Sequence, residues 1–373
     1  MKKIKVLSIF GARPEAVKMA PLVLKLREYD EIDSFVCTTA QHREMLDQVL
    51  NVFGIKPDYD LNLMKKGQTL NYIAATVIAE LDEILSNLNP DIVLVHGDTA
   101  TSYAAAVAAF NRHIKVGHVE AGLRSFNKWS PYPEEVYRQI TSRIADLHFA
   151  PTKQNEAHLK NEGVTENVYV TGNTAIDVLY SIVREGYEFR SESLKEIDLN
   201  SGRTILMTAH RRENLGVPHE NIFRAVRRIV DDNPDVQVVY PVHKNPAVIE
   251  PAERILGGHE RIYLTEPLDV DDMQNLMNRC YLVLTDSGGL QEEAPALGKP
   301  VVVLRTETER PEAVEMGTVV IAGVEEDAVY TVTNKLLRDK NEYEKMSRAV
   351  NPYGDGKACE RICGLIVEYF KNK

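Results

Sequence analysis

The sequence predicts an α/β protein built from two doubly wound parallel sheets. Short apolar runs of strand length alternate with helical stretches, and the alternation occurs twice along the chain. At 373 residues, each half is long enough to bury a core of its own. Charged and hydroxyl residues gather just after the apolar runs, where open parallel sheets bind ligands.

Ile4–Ile9 reads as a buried strand. Gly11-Ala12-Arg13-Pro14-Glu15 then opens a helix, with Pro14 near its first position. A dinucleotide-binding domain carries GxGxxG at this turn. That pattern is missing, and Arg13 and Lys18 stand there instead, either as cations for a diphosphate or as a solvated helix start. Phe35–Thr39 is the second strand, followed by Gln41-His42. A helix over Gln68–Leu88 puts Ala74, Val77, Ile78, Leu81, Ile84, Leu85 and Leu88 on one face, and Pro90 stops it. Ile92–Val95 is a strand whose turn, His96-Gly97-Asp98-Thr99, leads to an alanine-rich helix over Tyr103–Phe110. Lys115–Val119 is the next strand, then Glu120–Arg124 and a loop rich in Pro, Trp and Tyr, Ser125–Pro133. Glu134-Glu135 opens a helix running to Ala145, and Leu147–Ala150 and Val168–Val170 are further strands. Gly172-Asn173 suits a hinge, so the first domain is expected over residues 1–171 and the second over residues 172–356.

The second series has strands at Thr204–Thr208, Val236–Tyr240, Ile262–Thr265, Tyr281–Thr285, Pro300–Leu304 and Thr318–Ile321, with helices between, and a last helix over Lys357–Phe370. Its most informative stretch is Leu282–Pro300. A strand runs into Asp286-Ser287-Gly288-Gly289, and a helix follows with Leu290, Ala294 and Leu297 on one face and Glu292 and Glu293 in its first turn. Gly298 ends it and Pro300 forbids continuation. Free N–H groups and the positive end of a helix dipole make such a turn an anion site. A carboxylate one turn in suits sugar hydroxyls, so the stretch reads as a nucleotide-diphosphate cradle with Glu293 on ribose. An ordinary turn with a serine cap remains the alternative.

Composition narrows the function. The net charge of −11 argues against a nucleic-acid or anionic-membrane surface, so cations for a phosphate must be local. No apolar run approaches a membrane span. The chain passes straight into a strand, so no signal peptide is expected, and the four cysteines form no CxxC pair, which fits a reducing cytoplasm. No metal set is evident, because the histidines are scattered and no carboxylate-rich motif suits magnesium.

The strand ends hold Arg13, Gln41-His42, Asp98 and Glu120 in the first half. In the second they hold His210-Arg211-Arg212, His243-Lys244, Asp286-Ser287 and the Arg305–Arg310 turn. Asp98 could be a helix cap; Glu120 is harder to explain that way, since a loop follows it. His210 with its arginines is an anion clamp or a solvated loop, and a net-acidic chain has little reason to focus cations there otherwise. Glu134 and Glu135 could complement a helix dipole. Without a nicotinamide motif or metal set, acid–base work by carboxylates and histidine on an anionic ligand is the chemistry left.

Along nearly its whole length the chain resembles the non-hydrolysing UDP-N-acetylglucosamine 2-epimerases. The resemblance lies in GARPEAVKMAP (Gly11–Pro21), VHGDTATS (Val95–Ser102), GHVEAGLRS (Gly117–Ser125), SPYPEEVYR (Ser130–Arg138), AHRRENLG (Ala209–Gly216), LTDSGGLQEEAPALGKP (Leu284–Pro300), ERPEAV (Glu309–Val314) and NPYGDG (Asn351–Gly356). It implies two Rossmann-like domains facing a cleft, as in glycosyltransferases of the B class, with the C-terminal helix, residues 357–373, completing the first domain. It implies interconversion of UDP-N-acetylglucosamine and UDP-N-acetylmannosamine without a cofactor, in a cytoplasmic homodimer that feeds cell-envelope polysaccharides. UDP would be eliminated to leave 2-acetamidoglucal, then re-added.

By the same resemblance Asp98, Glu120, Glu134 and His210 are the catalytic candidates, with Asp98 and Glu134 favoured for handling protons and His210 for steadying the diphosphate. Arg13 and Lys18 would bind the substrate's charged part; Ser287, Gly288 and Gly289 would cradle phosphate; Glu293 would hold ribose; Arg310 would complete the UDP site. Leu268 and Met273 stand at two family contacts near the uracil. A second, allosteric nucleotide-sugar site would use Gln41, His42, Gln68, Glu134, Arg211 and His243, with Glu44 and Gly67 departing from an expected Gln and Arg. A hydrolysing epimerase and a glycosyltransferase of the same fold are the competing enzymes; a non-catalytic nucleotide-sugar sensor is disfavoured by the acid–base cluster.

Overall fold

The computed structural model describes residues 2–39, 43–63, 67–308 and 310–372, without the side chains of 43–45. It divides into two compact units, Met1–Val178 with Tyr353–Lys373, and Leu179–Pro352.

Among the described residues the first unit carries a seven-stranded parallel sheet: β1 (Ile4–Phe10), β2 (Ile32–Thr38), β3 (Tyr59–Asp60), β4 (Ile92–His96), β5 (Lys115–Val119), β6 (Leu147–Ala150) and β7 (Val168–Val170), in the order β3-β2-β1-β4-β5-β6-β7. The second carries six parallel strands: β8 (Arg203–Thr208), β9 (Val236–Pro241), β10 (Ile262–Thr265), β11 (Leu282–Thr285), β12 (Val301–Val303) and β13 (Val319–Ile321), in the order β10-β9-β8-β11-β12-β13. In each sheet the order reverses beside its first strand. The switch points are β1/β4, in register Val6 with Ile92, and β8/β11, in register Ile205 with Leu282. Successive helices there leave on opposite faces and open a ligand crevice beyond the strands' carboxyl ends.

Both faces of each sheet are covered, which is why the strands read as unbroken apolar runs. On one face of the first sheet Ala16, Met19 and Val23 of the Arg13–Arg27 helix pack with Cys359, Ile362 and Ile366 of the Ala358–Lys371 helix. On the other, Val77, Leu81 and Leu85 meet the small faces of Ala104, Ala105 and Ala108. In the second unit Ile222, Phe223, Val226 and Ile229 pack on β8, β9 and β11.

The unit boundaries fall at 178/179 and 352/353, where the sequence suggested 171/172 and 356/357. Asp177 supplies the physical reason. Its buried carboxylate accepts the N–H groups of Ala358 (3.1 Å) and Cys359 (2.8 Å), the open end of the last helix, and so draws the start of the Thr174–Ile182 helix into the first unit. Caps account for the other shifts. Thr69 and Thr99 accept from Tyr72 and Ser102, starting helices at Leu70 and Ala100 and not at Gln68 and Tyr103. Replacing Asp177 with Ala removes both acceptors. We expect a loss of about 1–2 kcal/mol, read as faster hydrogen exchange across the Ala358–Lys371 helix; unchanged exchange there would contradict the assignment.

Candidate active site

The β1/β4 switch point is held by one buried carboxylate, that of Glu15. Its Oε2 accepts the N–H groups of Gly11 (3.0 Å) and Ala12 (2.7 Å), and its Oε1 accepts the hydroxyls of Thr99 and Ser102, both at 2.7 Å. Burial raises its pKa, and these donors oppose the rise. Glu15 therefore locks the turn that carries Arg13 to the turn that carries Asp98. The space is tight: a Cβ on Gly11 would lie 1.9 Å from the Thr39 hydroxyl.

Asp98 does not cap the following helix; Thr99 does. Its carboxylate is held by Arg138 (2.6 Å), whose guanidinium also meets Glu135 (3.7 Å). Burial pushes the Asp98 carboxyl up to about 6. Arg138 pulls against that rise, and the charges of Glu120 and Glu134 add to it. A carboxyl poised near neutrality can both take and give a proton at physiological pH. Glu120 sits at φ +63, a left-handed conformation that costs a non-glycine residue about 1–3 kcal/mol. It ion-pairs with Lys18, and its Oε2 is 3.9 Å from Nε2 of buried His96, a ring whose pKa burial lowers to about 4. Lys18, expected as a diphosphate ligand, is thus engaged by Glu120.

Glu134 opens the Glu134–Ile144 helix, and its Oε2 is buried without a hydrogen-bond partner. Such an orphan acceptor costs free energy unless a ligand satisfies it. Glu135 acts differently. It accepts N–H groups from Ser125 (2.9 Å) and Phe126 (3.1 Å) and fixes the loop before the helix.

The β8/β11 switch point in the second unit is held by Asp286, fully buried, whose Oδ2 accepts the N–H groups of His210 (2.7 Å) and Arg211 (2.8 Å). The following helix, Gly288–Ala296, begins with glycines, and Ser287 makes no capping bond with its side chain. Its hydroxyl therefore does not serve the ordinary serine cap that the sequence left open. The guanidinium groups of Arg310 and Arg211 come within 3.5 and 3.9 Å of where a Gly288 Cβ would stand. Arg310 is steadied by the buried carboxylate of Glu292. Because Ser287 is the N-cap, Glu292 and Glu293 lie in the second turn, not the first. Glu293 Oε1 lies 3.8 Å from the Gly289 Cβ position, so its carboxylate leans back toward the turn. His210 and His243 stack at 5.8 Å. The Ser287 N–H is spent on the Thr285 hydroxyl (2.9 Å), and the glycine-led helix start and two guanidinium groups converge on one spot, an arrangement that suits an anion.

The structure thus groups Lys18, Asp98 and Glu120, with the charge of Glu134 near them, and separately His210, Arg211, Ser287, Gly288, Gly289, Glu293 and Arg310. Arg13 is half-buried in its turn. Gln41 and His42 lie outside the described residues. Gln68 Nε2 donates to the Leu63 carbonyl (2.7 Å). Gly67 has φ +79, so an arginine there would be strained. Sequence reasoning missed Glu15, Arg138 and the amide-collecting role of Asp286. The only signal for the first was its place three residues after Ala12, the spacing of a capping box without its usual hydroxyl.

A family model described as UDP-N-acetylglucosamine 2-epimerase matches residues 24–367. A UDP-N-acetylglucosamine 2-epimerase of Bacillus subtilis is 57% identical over 364 residues, covering 97% of this chain and 94% of the relative. The crystal structure of the Neisseria meningitidis enzyme bound to UDP-GlcNAc is similar at a TM-score of 0.81 and 45% identity, covering 98% of this chain and all of that one. A Methanocaldococcus jannaschii UDP-GlcNAc 2-epimerase in complex with UDP-GlcNAc and UDP gives a TM-score of 0.71 at 30% identity, with 98% and 100% covered. These structures share the two parallel-sheet α/β domains of the glycosyltransferase-B-like fold.

The Asp98 carboxyl predicts a stability trade. Its pKa is raised from 3.8 to about 6, so the fold favours the protonated form. That stabilisation is complete below pH 3.8 and is lost as pH rises through about 6. Asp98→Asn should therefore stabilise the protein at pH 8 by about 1–3 kcal/mol, with the gain shrinking toward pH 4. Denaturation of both proteins at the two pH values checks this; a destabilised variant at pH 8 would contradict it.

Proposed function

The chain belongs to the UDP-N-acetylglucosamine 2-epimerase family, and from that premise we propose that it interconverts UDP-N-acetylglucosamine and UDP-N-acetylmannosamine without hydrolysis. The observation that supports this reading is Asp98, a carboxyl titrating near 6, held by Arg138 and set among Glu120 and Glu134. The hydrogen at C2 of a pyranoside is not acidified by a carbonyl, so direct removal would leave an unstabilised carbanion. Departure of UDP from C1 as that proton leaves avoids it, giving 2-acetamidoglucal and UDP. Protonation at C2 from the other face and return of UDP complete the epimerisation.

Two faces require two proton carriers, and we assign them to Asp98 and Glu134. Glu120, locked by Lys18 and its left-handed backbone, shapes the field around Asp98. The glycine turn at 287–289 takes the diphosphate with Arg310, and His210 steadies it as it leaves. Glu293 takes the ribose hydroxyls. Arg13 and Lys18 would meet the substrate's charged part, Lys18 only by exchanging its Glu120 contact. We assign the protein to cytoplasmic supply of cell-envelope polysaccharide as a homodimer. A second nucleotide-sugar site would use Gln41, His42, Gln68, Glu134, Arg211 and His243, weakened by Glu44 and Gly67.

Incubation of the pure protein with UDP-N-acetylglucosamine in deuterium oxide tests the reading. Both sugar nucleotides should gain deuterium at C2 while free UDP stays far below turnover. UDP released in step with N-acetylmannosamine would mean a hydrolysing enzyme, and epimerisation with full retention of the C2 hydrogen would exclude elimination. For the UDP site, Glu293→Ala should weaken UDP binding by about 1.5–3 kcal/mol in a calorimetric titration; unchanged affinity would remove Glu293 from the site.

A further inference from the structure

Asp286 does more than collect amides. Its Oδ2 is occupied by the N–H groups of His210 and Arg211, but Oδ1 is buried with no hydrogen-bond partner and lies 3.4 Å from His210 Nδ1. A fully buried carboxylate oxygen left unsatisfied is costly, and the His210 ring needs only a small rotation to satisfy it. Resting on the reading of His210 as the group that meets the departing diphosphate, we propose that Asp286 is a positioning residue that accepts the His210 Nδ1–H bond and fixes the ring's tautomer. The proton stays on Nδ1, and Nε2 is the nitrogen turned outward. A proton delivered from solvent to Nε2 would let the ring donate to a phosphate oxygen. One carboxylate thereby sets both the backbone and the ring of the same histidine.

The surroundings of Asp286 leave few other partners for Oδ1. Tyr240 spends its hydroxyl on the Ala209 carbonyl (2.7 Å), and Asn214 approaches Oδ2 (3.5 Å). His219, buried and stacked on Phe223, feels the Asp286 charge and has both ring nitrogens unpartnered. It is the competing donor to Oδ1. His243 stacks on His210, and its Nδ1 accepts from the Asn245 N–H (3.1 Å).

Asp286→Asn separates the two functions of the carboxylate. An Asn oxygen can still accept both amides, while its Nδ2–H group faces His210 and donates to Nδ1, which forces the ring proton onto Nε2. Histidine nitrogen NMR on the full chain, with the His210 signals identified by their loss in His210→Asn, reads the tautomer of the neutral ring. The expected result is Nδ1–H in the wild type and Nε2–H in Asp286→Asn. Turnover should fall by at least about tenfold while the calorimetric UDP Kd changes less than about threefold. The same tautomer in both proteins, a response at His219 instead of His210, or lost turnover without a tautomer change would each overturn the proposal. Should Asp286→Asn fail to fold, the wild type decides alone, since an Nε2–H tautomer there refutes it. Absence of epimerase turnover in the wild type would overturn the functional reading, and the tautomer would still decide the Asp286 assignment.

Discussion

One interaction recurs at five places among the described residues: a buried carboxylate accepting two consecutive backbone N–H groups. Glu15 does it for Gly11 and Ala12, Glu135 for Ser125 and Phe126, Asp286 for His210 and Arg211. Asp177 does it for the last helix and Asp272 for Arg190 and Ser191. Charge-assisted bonds of this kind are short and about twice as strong as neutral ones, and removing one partner strands buried amides. The turns at both switch points are therefore rigid even though they are loops. Rigidity is what lets Asp98, Glu120 and His210 be held at set positions without help from regular secondary structure.

The same device explains a division of electrostatic labour. The chain is net acidic, yet at β8/β11 its interior carboxylates, Glu292 and Asp286, serve to aim Arg310 and the His210-Arg211 turn toward the glycine-led helix start. At β1/β4 the balance is reversed. Several carboxylates share few cations, Arg138 and Lys18, and burial, aided by the charges of Glu120 and Glu134, raises the Asp98 carboxyl to about 6. One switch point is suited to an anion and the other to moving protons.

The fold was legible because parallel strands buried on two faces leave continuous apolar runs, and the helices between them keep a helical period. What escaped the reading was short or long-range. β3 has two residues, too few to show a pattern, and the helix starts at Leu70 and Ala100 were set by threonine caps, not by the apolar stripe. Asp98 and Glu120 could be found because they directly follow strands. Arg138 could not, because its meaning depends on which helix lies across from Asp98, and nothing in linear spacing encodes that. Asp286 was visible as a strand-end residue, but that its two oxygens face one histidine is a fact of three dimensions. The Ser287 turn was ambiguous in sequence and is clearer in structure, where the serine side chain does not cap and two guanidinium groups converge.

In the proposed reaction, proton transfer at C2 and departure of UDP belong to one elimination. A variant that can start the reaction but not finish it tests this most directly. Incubated with UDP-N-acetylglucosamine, one of Asp98→Asn and Glu134→Gln, whichever lacks the carrier for the second face, should release UDP and 2-acetamidoglucal together, followed by phosphorus and proton NMR. Release of UDP with free N-acetylmannosamine, or formation of the epimer with no glycal at any time, would contradict the account.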